Sequence, residues 1–277
     1  MKPDDFDFVA KLLKERSGLV LSKDKAYLLE SRLMPVARRR NLKGLDDLVV
    51  ALRRMDSVLV KDVTEAMTTN ESFFFRDTKP FDQFRDRVMP SLLSARKDRR
   101  LIRIWCAACS SGQEPYSLAI ILKEMDARLA GWRIDIVATD LSTEILEKAK
   151  AGLYSQFEVQ RGMPIQYLVK YFQKKDEMWQ VDSRLRAMVQ YRPLNLLTDV
   201  RAGLGTFDVV FCRNVLIYFD QETKGRVLGD ISTLMAPDAF LYLGGAETVL
   251  GISDKFRPIM GQRGMYELTS GPGAAKA

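Results

Sequence analysis

Asp140 closes an apolar run, Ile134 to Thr139, and its position could carry cofactor chemistry. An acid just after the second strand of a parallel sheet can accept hydrogen bonds from ribose hydroxyls. The competing reading is that Asp140 only caps the helix beginning near Leu141. A small-residue loop, Ala107-Ala108-Cys109-Ser110-Ser111-Gly112, lies 28 residues upstream when counted from its glycine. That spacing is near the roughly 20 residues of a dinucleotide site but longer, and one glycine stands where that fingerprint needs three. No Gly-Lys-Ser/Thr follows, so a P-loop is excluded as well. What remains is a cofactor with an adenosine but no pyrophosphate, of which S-adenosylmethionine is the obvious member. The chain holds 0 His, which excludes Ser-His-Asp and Cys-His catalysis, imidazole bases and His-containing metal sites. Cys106 and Cys109 have redox or zinc spacing, yet no zinc partners accompany them. They read as small residues of the loop, and no metal is expected.

The elements that must position these residues follow from the pattern. Leu101-Ile102-Arg103-Ile104-Trp105-Cys106 reads as a buried strand, with a helix from about Glu114 to Leu129 after the loop. A second strand, Ile134 to Thr139, and a helix through Ile145 to Ala149 complete β-α-β-α, the signature of a parallel sheet covered on both faces. Further strands are expected at Met188 to Leu194, Phe207 to Cys212 and Phe240 to Leu243, with a helix from about Gln221 to Met235. A terminal hairpin, Phe256 to Met260 and Gly264 to Leu268, turns at Gly261-Gln262-Arg263. Before all of these, from Phe6 to about Leu93, apolar residues recur every three or four positions, as in a helical domain, with Asp56 or Ser57 able to cap a helix. The charged stretch from Phe172 to Val189 fits a small insertion at the sheet edge.

Composition bounds the class. The chain has 277 residues, 47% hydrophobic and 29% charged, with 3 Cys, an ordinary globular composition with no disulfide framework. No apolar signal core opens the chain and no run of 18 apolar residues could span a bilayer, so a cytoplasmic, non-membrane protein is expected. Net charge is +7, and residues 1 to 100 hold 22 Lys/Arg against 16 Asp/Glu. Arg32, Arg38, Arg39, Arg40 and Lys43 fall within twelve residues free of acid, a patch suited to an anionic partner.

Four segments taken together carry a resemblance: Thr69-Asn70-Glu71-Ser72-Phe73-Phe74-Phe75-Arg76, the run Cys106 to Ser117, Ala138-Thr139-Asp140, and Phe211-Cys212-Arg213-Asn214-Val215-Leu216-Ile217-Tyr218-Phe219. In this order, across roughly residues 5 to 268, the chain resembles the chemoreceptor glutamate methyltransferases of bacterial chemotaxis, the CheR family. The resemblance implies an α/β fold, a doubly wound and mostly parallel, Rossmann-like sheet, with an N-terminal all-helical domain (1–92) and a methyltransferase domain (93–270) carrying a small antiparallel β insertion near 172–190. Residues 271–277 would form a flexible tail. The implied reaction moves the methyl of S-adenosylmethionine to glutamate carboxylates on cytoplasmic receptor helices, giving methyl esters and S-adenosylhomocysteine. An ionised glutamate is already a nucleophile, which accounts for the lack of histidine.

By the same resemblance Asn70, Ser72, Arg76, Glu114, Asp140, Asn195, Leu196, Arg213 and Asn214 contact the cofactor, in a cleft shared with the helical domain. Arg76 and Tyr218 would lie near the sulfur as the catalytic pair, and Arg32, Arg38 and Arg39 would face the acidic receptor bundle. Structural alternatives exist: Glu114 as a first-turn acid favoured by the helix dipole, Asn195 and Leu196 as a strand-exit turn, and the arginines as a solvated face; Phe73, Phe74 and Phe75 are expected to pack in the core rather than to meet substrate. The turn Gln173 to Met178 is short and lacks the glycine of family members that grip a receptor's C-terminal peptide, so no tether is expected, and the enzyme should act as a monomer. Two other functions compete, a nucleic-acid methyltransferase and a non-catalytic cofactor sensor. The first lacks an Asn/Asp-Pro-Pro-Tyr/Phe motif, Arg213-Asn214-Val215 standing where it would be.

Overall fold

The computed structural model describes residues 2–198, 200 and 203–270; the expected tail, 271–277, lies outside them. The chain separates into two units, one made of the residues up to Thr69 together with Tyr218–Thr223, the other of Asn70–Ile217 and the chain from Lys224 on.

The first unit is built on four helices, Pro3–Ser17, Ala26–Arg39, Leu45–Leu52 and Ser57–Ala66. Their three-and-four spacing buries Val9, Leu13, Leu29, Leu33, Val36, Leu48, Leu52 and Val63 in one core. Asp56 caps the last helix by accepting from the Leu59 N–H at 2.8 Å. Gly18 ends the first helix at φ 74°, where a Cβ would stand 2.8 Å from the Phe219 ring, so the segment Tyr218–Thr223 packs where only glycine fits. The Val20 N–H donates to the Tyr218 carbonyl at 2.9 Å, and Lys14 pairs with Asp220 at 2.7 Å.

The second unit holds a seven-stranded sheet. Its strands are β1 (Leu101–Ala107), β2 (Arg133–Asp140), β6 (Val189–Pro193), β7 (Phe207–Cys212), β8 (Met235–Leu243), β9 (Phe256–Pro258) and β10 (Met265–Leu268), in the order β6-β2-β1-β7-β8-β10-β9. β6 through β8 run parallel, and β10 pairs antiparallel with both β8 and β9. All six residues of β7 are buried, as expected of a strand covered on both faces. The chain winds outward from β1 to β2 and β6, then returns to β7 on the other side. The carboxyl ends of β1 and β7 therefore flank the point where ligands bind in such sheets.

A smaller antiparallel sheet, β3 (Leu153–Ser155), β4 (Phe172–Lys175) and β5 (Met178–Val181), has the order β3-β5-β4. The insertion thus starts near residue 153, earlier than the 172 read from the sequence, because a three-residue strand carries no periodic signal. The expected boundary near residue 92 also falls inside the second unit. Phe74, Phe81, Phe84, Val88, Met89 and Leu92 belong to the sheet's core, with Phe81 stacked on Phe211 of β7 and Phe211 on Tyr242 of β8. Helices resume at Lys79 after the non-helical stretch 67–78, and the pattern alone does not say which core each helix joins.

Candidate active site

The loop after β1 is held in place from both sides. Asp140, at the end of β2, accepts from the Ser110 N–H at 2.8 Å through one carboxylate oxygen and from the Ser142 N–H at 3.0 Å through the other. The Cys109 N–H donates to the Thr139 carbonyl at 2.8 Å. Ala108 and Ser110 hold φ of 62° and 51°, conformations that non-glycine residues adopt only where the surroundings impose them. Gly112 sits at φ 93°, and a Cβ there would meet the Tyr191 hydroxyl at 2.8 Å. The Tyr154 hydroxyl, from β3, donates to the Ser111 carbonyl at 2.6 Å. Asp140 thus has a structural duty as well as the position of a ribose acceptor. These bonds run to the loop after β1 and to Ser142, and it is Ser142 that caps the following helix at the Ile145 N–H.

Arg213, directly after β7, is the charge centre of the site. Its side chain is 2% exposed and reaches Glu114 at 2.8 Å and Asp77 at 2.7 Å; it also donates to the Arg76 carbonyl at 3.0 Å. Phe75, Asp77 and Thr78 all have positive φ, at 50°, 67° and 47°. Arg213 therefore clamps a strained turn whose apex presents the Arg76 side chain. Burial pushes the Glu114 carboxyl above its ordinary value, and Arg213 opposes that shift. The helix-dipole account of Glu114 is incomplete, since its main partner is this guanidinium.

Asn214 follows at φ 59°, and the segment it opens is governed by a residue that sequence reasoning missed. Glu247 accepts from four backbone N–H groups: Asn214 at 2.8 Å and Gly244 at 2.6 Å through one oxygen, Val215 at 2.9 Å and Ile217 at 3.3 Å through the other. At Gly244 a Cβ would lie 2.7 Å from both the Asn214 amide and the Glu247 carboxylate. The only cue in the sequence was an acid after a glycine pair beyond the β8 strand.

Other expected residues fall as follows. The Ser110 hydroxyl donates to the Asn70 carbonyl at 3.0 Å, bringing the Asn70–Arg76 segment to the loop after β1. Ser72 and Phe73 are half-buried, Phe74 and Phe75 buried. Phe74 and Phe75 are core residues, as expected, while Phe73 lies beneath the guanidiniums of Arg161 and Arg76. Asn195 forms a turn in which its side chain accepts from the Leu197 N–H at 3.0 Å, directly after Leu194 donates to the Asp140 carbonyl; Leu196 is buried. Tyr218 belongs to the first unit. There too, Arg32 donates to the Met67 and Thr68 carbonyls at 2.7 and 3.0 Å and to the Thr69 hydroxyl, which closes the end of the fourth helix. Arg38 and Arg39 are exposed. Cys106, Cys109 and Cys212 are buried free thiols that burial pushes well above the usual thiol range. Among the described residues no group of three or more His, Cys, Asp or Glu could hold a metal ion.

This donor set fits S-adenosylmethionine: an acid at the end of β2 for hydroxyls, a buried carboxylate for an ammonium, and no phosphate cradle. Comparison with known proteins agrees. Residues 70–265 match the CheR methyltransferase SAM binding domain, and residues 4–68 the CheR methyltransferase all-alpha domain. Chemotaxis protein methyltransferase 1 of Pseudomonas aeruginosa is 42% identical over 259 residues, covering 92% of this chain and 94% of its own. Chemotaxis protein methyltransferase Cher2 of Pseudomonas putida is 38% identical, covering 92% and 94%. The Escherichia coli chemotaxis protein methyltransferase is 34% identical, covering 91% and 86%. With both domains matched in order over nearly the whole length, the chain belongs to the CheR family of S-adenosylmethionine-dependent methyltransferases.

Proposed function

We propose that this enzyme methylates glutamate side chains of chemoreceptors, and the observation that carries the reading is the ordered match of both CheR domains to one chain. S-adenosylmethionine supplies an electrophilic methyl on a sulfonium. A glutamate carboxylate oxygen forms the new O–C bond as the C–S bond breaks and its electron pair passes to sulfur. No proton moves, because the acceptor is ionised at neutral pH, its ordinary pKa being about 4.3. The protein's work is alignment and exclusion of water.

In this reading Asp140 takes the ribose hydroxyls, Glu114 the cofactor's ammonium, and Asn70, Ser72, Asn195, Leu196 and Asn214 line the remainder. Arg213 sets the Arg76 turn through the backbone. Arg76 orients the acceptor carboxylate without binding it tightly, since stabilising the ground-state anion alone would slow attack. Tyr218 contributes a hydrogen bond or ring edge near the transferring methyl. Arg38 and Arg39 steer an acidic receptor bundle toward the enzyme, whereas Arg32 has a structural duty. The enzyme works in the cytoplasm, as a monomer and without a peptide tether. Supporting the last point, Asp176-Glu177 alone joins β4 to β5.

The test is transfer of labelled methyl from S-adenosylmethionine to purified receptor membranes. Base-labile label, released as methanol, is expected with receptors and none with RNA. Label on RNA alone would overturn the reading in favour of a nucleic-acid enzyme, for which no feature of the site speaks. Arg76→Ala should abolish transfer; a variant that still regulates a partner, from a wild type without turnover, would mark a sensor.

A further inference from the structure

The segment Glu71–Arg76 meets a second arginine that the proposed reaction does not use. Arg161 lies in the insertion, in the turn after the short helix Gln156–Gln160. Its guanidinium reaches the Glu71 carboxylate at 2.6 Å and stands 4.5 Å from the centre of the Phe73 ring. Arg76 stands 5.2 Å from the same centre and donates to the Glu71 carbonyl at 3.1 Å. The base of Arg161 is fixed: the next residue, Gly162, has φ 89°, and a Cβ there would fall 2.1 Å from the Phe74 carbonyl oxygen. Its head is accessible, the Arg161 and Glu71 side chains being 42% and 56% exposed.

We infer that Arg161 and Arg76, both set against the Phe73 ring, form a second carboxylate subsite that takes an acidic side chain neighbouring the glutamate to be methylated, with Glu71 holding its place until the acceptor arrives. The inference rests on the function proposed above. An exposed ion pair contributes little to stability, so an incoming carboxylate can displace Glu71 at small cost. A planar guanidinium beside an aromatic ring is suited to bind that carboxylate through two parallel bonds. The subsite also connects to the chemistry. The Glu71 carboxyl is held below its ordinary value by Arg161 first and by Arg76 as well, and Arg76 acts on the buried Glu114 in the same sense. One guanidinium therefore lies within electrostatic reach of both the cofactor side and the acceptor side. The insertion acquires a part in choosing substrate that needs no tether.

The test compares Arg161→Gln and Glu71→Gln in the full-length enzyme. Acceptors are receptor cytoplasmic fragments with either Glu or Gln beside the methylated residue, and labelled S-adenosylmethionine reports transfer. Arg161→Gln should raise KM for the Glu-neighbour fragment by roughly 5- to 10-fold, as loss of one charge-assisted contact implies, with kcat and the S-adenosylhomocysteine Kd unchanged. It should also erase the preference for that fragment over the Gln-neighbour one. Glu71→Gln should move KM the other way, down by about 2-fold, since only a weak pair is removed, and Arg161→Lys should keep part of the preference. Equal losses in both glutamine variants would make the pair a mere clamp and overturn the inference, as would an intact preference in Arg161→Gln. A wild type that transfers no label to either fragment would instead defeat the underlying function, an outcome read before any variant is made.

Discussion

A single carboxylate, Glu247, holds together the backbone of the segment that carries Asn214. Both of its oxygens serve as acceptors, so Glu247→Gln would replace one with an amide whose hydrogens face backbone N–H donors. Loss of charged acceptors and exposure of unsatisfied amides should cost about 2–3 kcal/mol of stability. The larger effect is expected in catalysis, because a shift of about 1 Å in positioning groups can lower rate roughly 100-fold. The measurement is kcat/KM for methyl transfer beside a denaturation curve. A variant losing stability but retaining wild-type kcat/KM would show that the segment's backbone is set by other contacts. Asp140 was legible in the sequence because a strand's end and an acid coincide there. Glu247 was not, since three of its four backbone partners lie some thirty residues earlier, and backbone amides leave no mark in the residue types.

The strands around the loop after β1 could be read with little error. Apolar runs such as Ile134 to Thr139 and Phe207 to Cys212 are long enough to be distinct, and their pairing puts Cys106 beside Ala138 and Phe211. The β3 strand and the helices Lys79–Gln83 and Met89–Ala95 were harder, because their partners lie far along the chain and only packing reveals them. The same holds for the ion network behind β7. Asp208, 2% exposed, receives Arg96 at 2.8 Å and Arg99 at 2.5 Å, while the Arg103 N–H donates to its other oxygen at 2.8 Å. Arg96 in turn grips Asp238, tying the end of the helix Met89–Ala95 to β7 and β8. Asp208→Ala leaves Arg96 buried without its deepest partner, and removing one member of a buried pair costs about 3–5 kcal/mol. The expected outcome is a large drop in the unfolding midpoint in urea, with S-adenosylhomocysteine affinity retained in the folded fraction. An unchanged midpoint would mean that Asp238 alone satisfies Arg96.

Charge across the chain makes its response to pH unusual. There are 0 His, and all three thiols are pushed far up by burial, so neither type titrates near neutrality. Carboxyls held down by partners, such as Asp220 by Lys14 and Glu124 by Lys170, contribute stability above their unfolded pKa and lose it only as pH falls through their lower folded values. Glu114 is of the opposite kind, raised above 4.5 by burial. Its contribution to stability is fully present below the unfolded pKa and is lost as pH rises through the raised folded one. Ionised Glu114 therefore costs stability at neutral pH, yet the ionised form is the one that pairs with Arg213 and can hold an ammonium. Between the ordinary and the raised pKa, acidification should weaken cofactor binding while this carboxyl makes the fold no less stable. Titration calorimetry with S-adenosylhomocysteine, stepped from pH 7.5 downward, should show affinity falling before the unfolding midpoint does. Glu114→Gln should bind weakly at every step, with no acid limb. An acid limb that survives in Glu114→Gln would assign the ionisation to another group and remove Glu114 from the cofactor's ammonium.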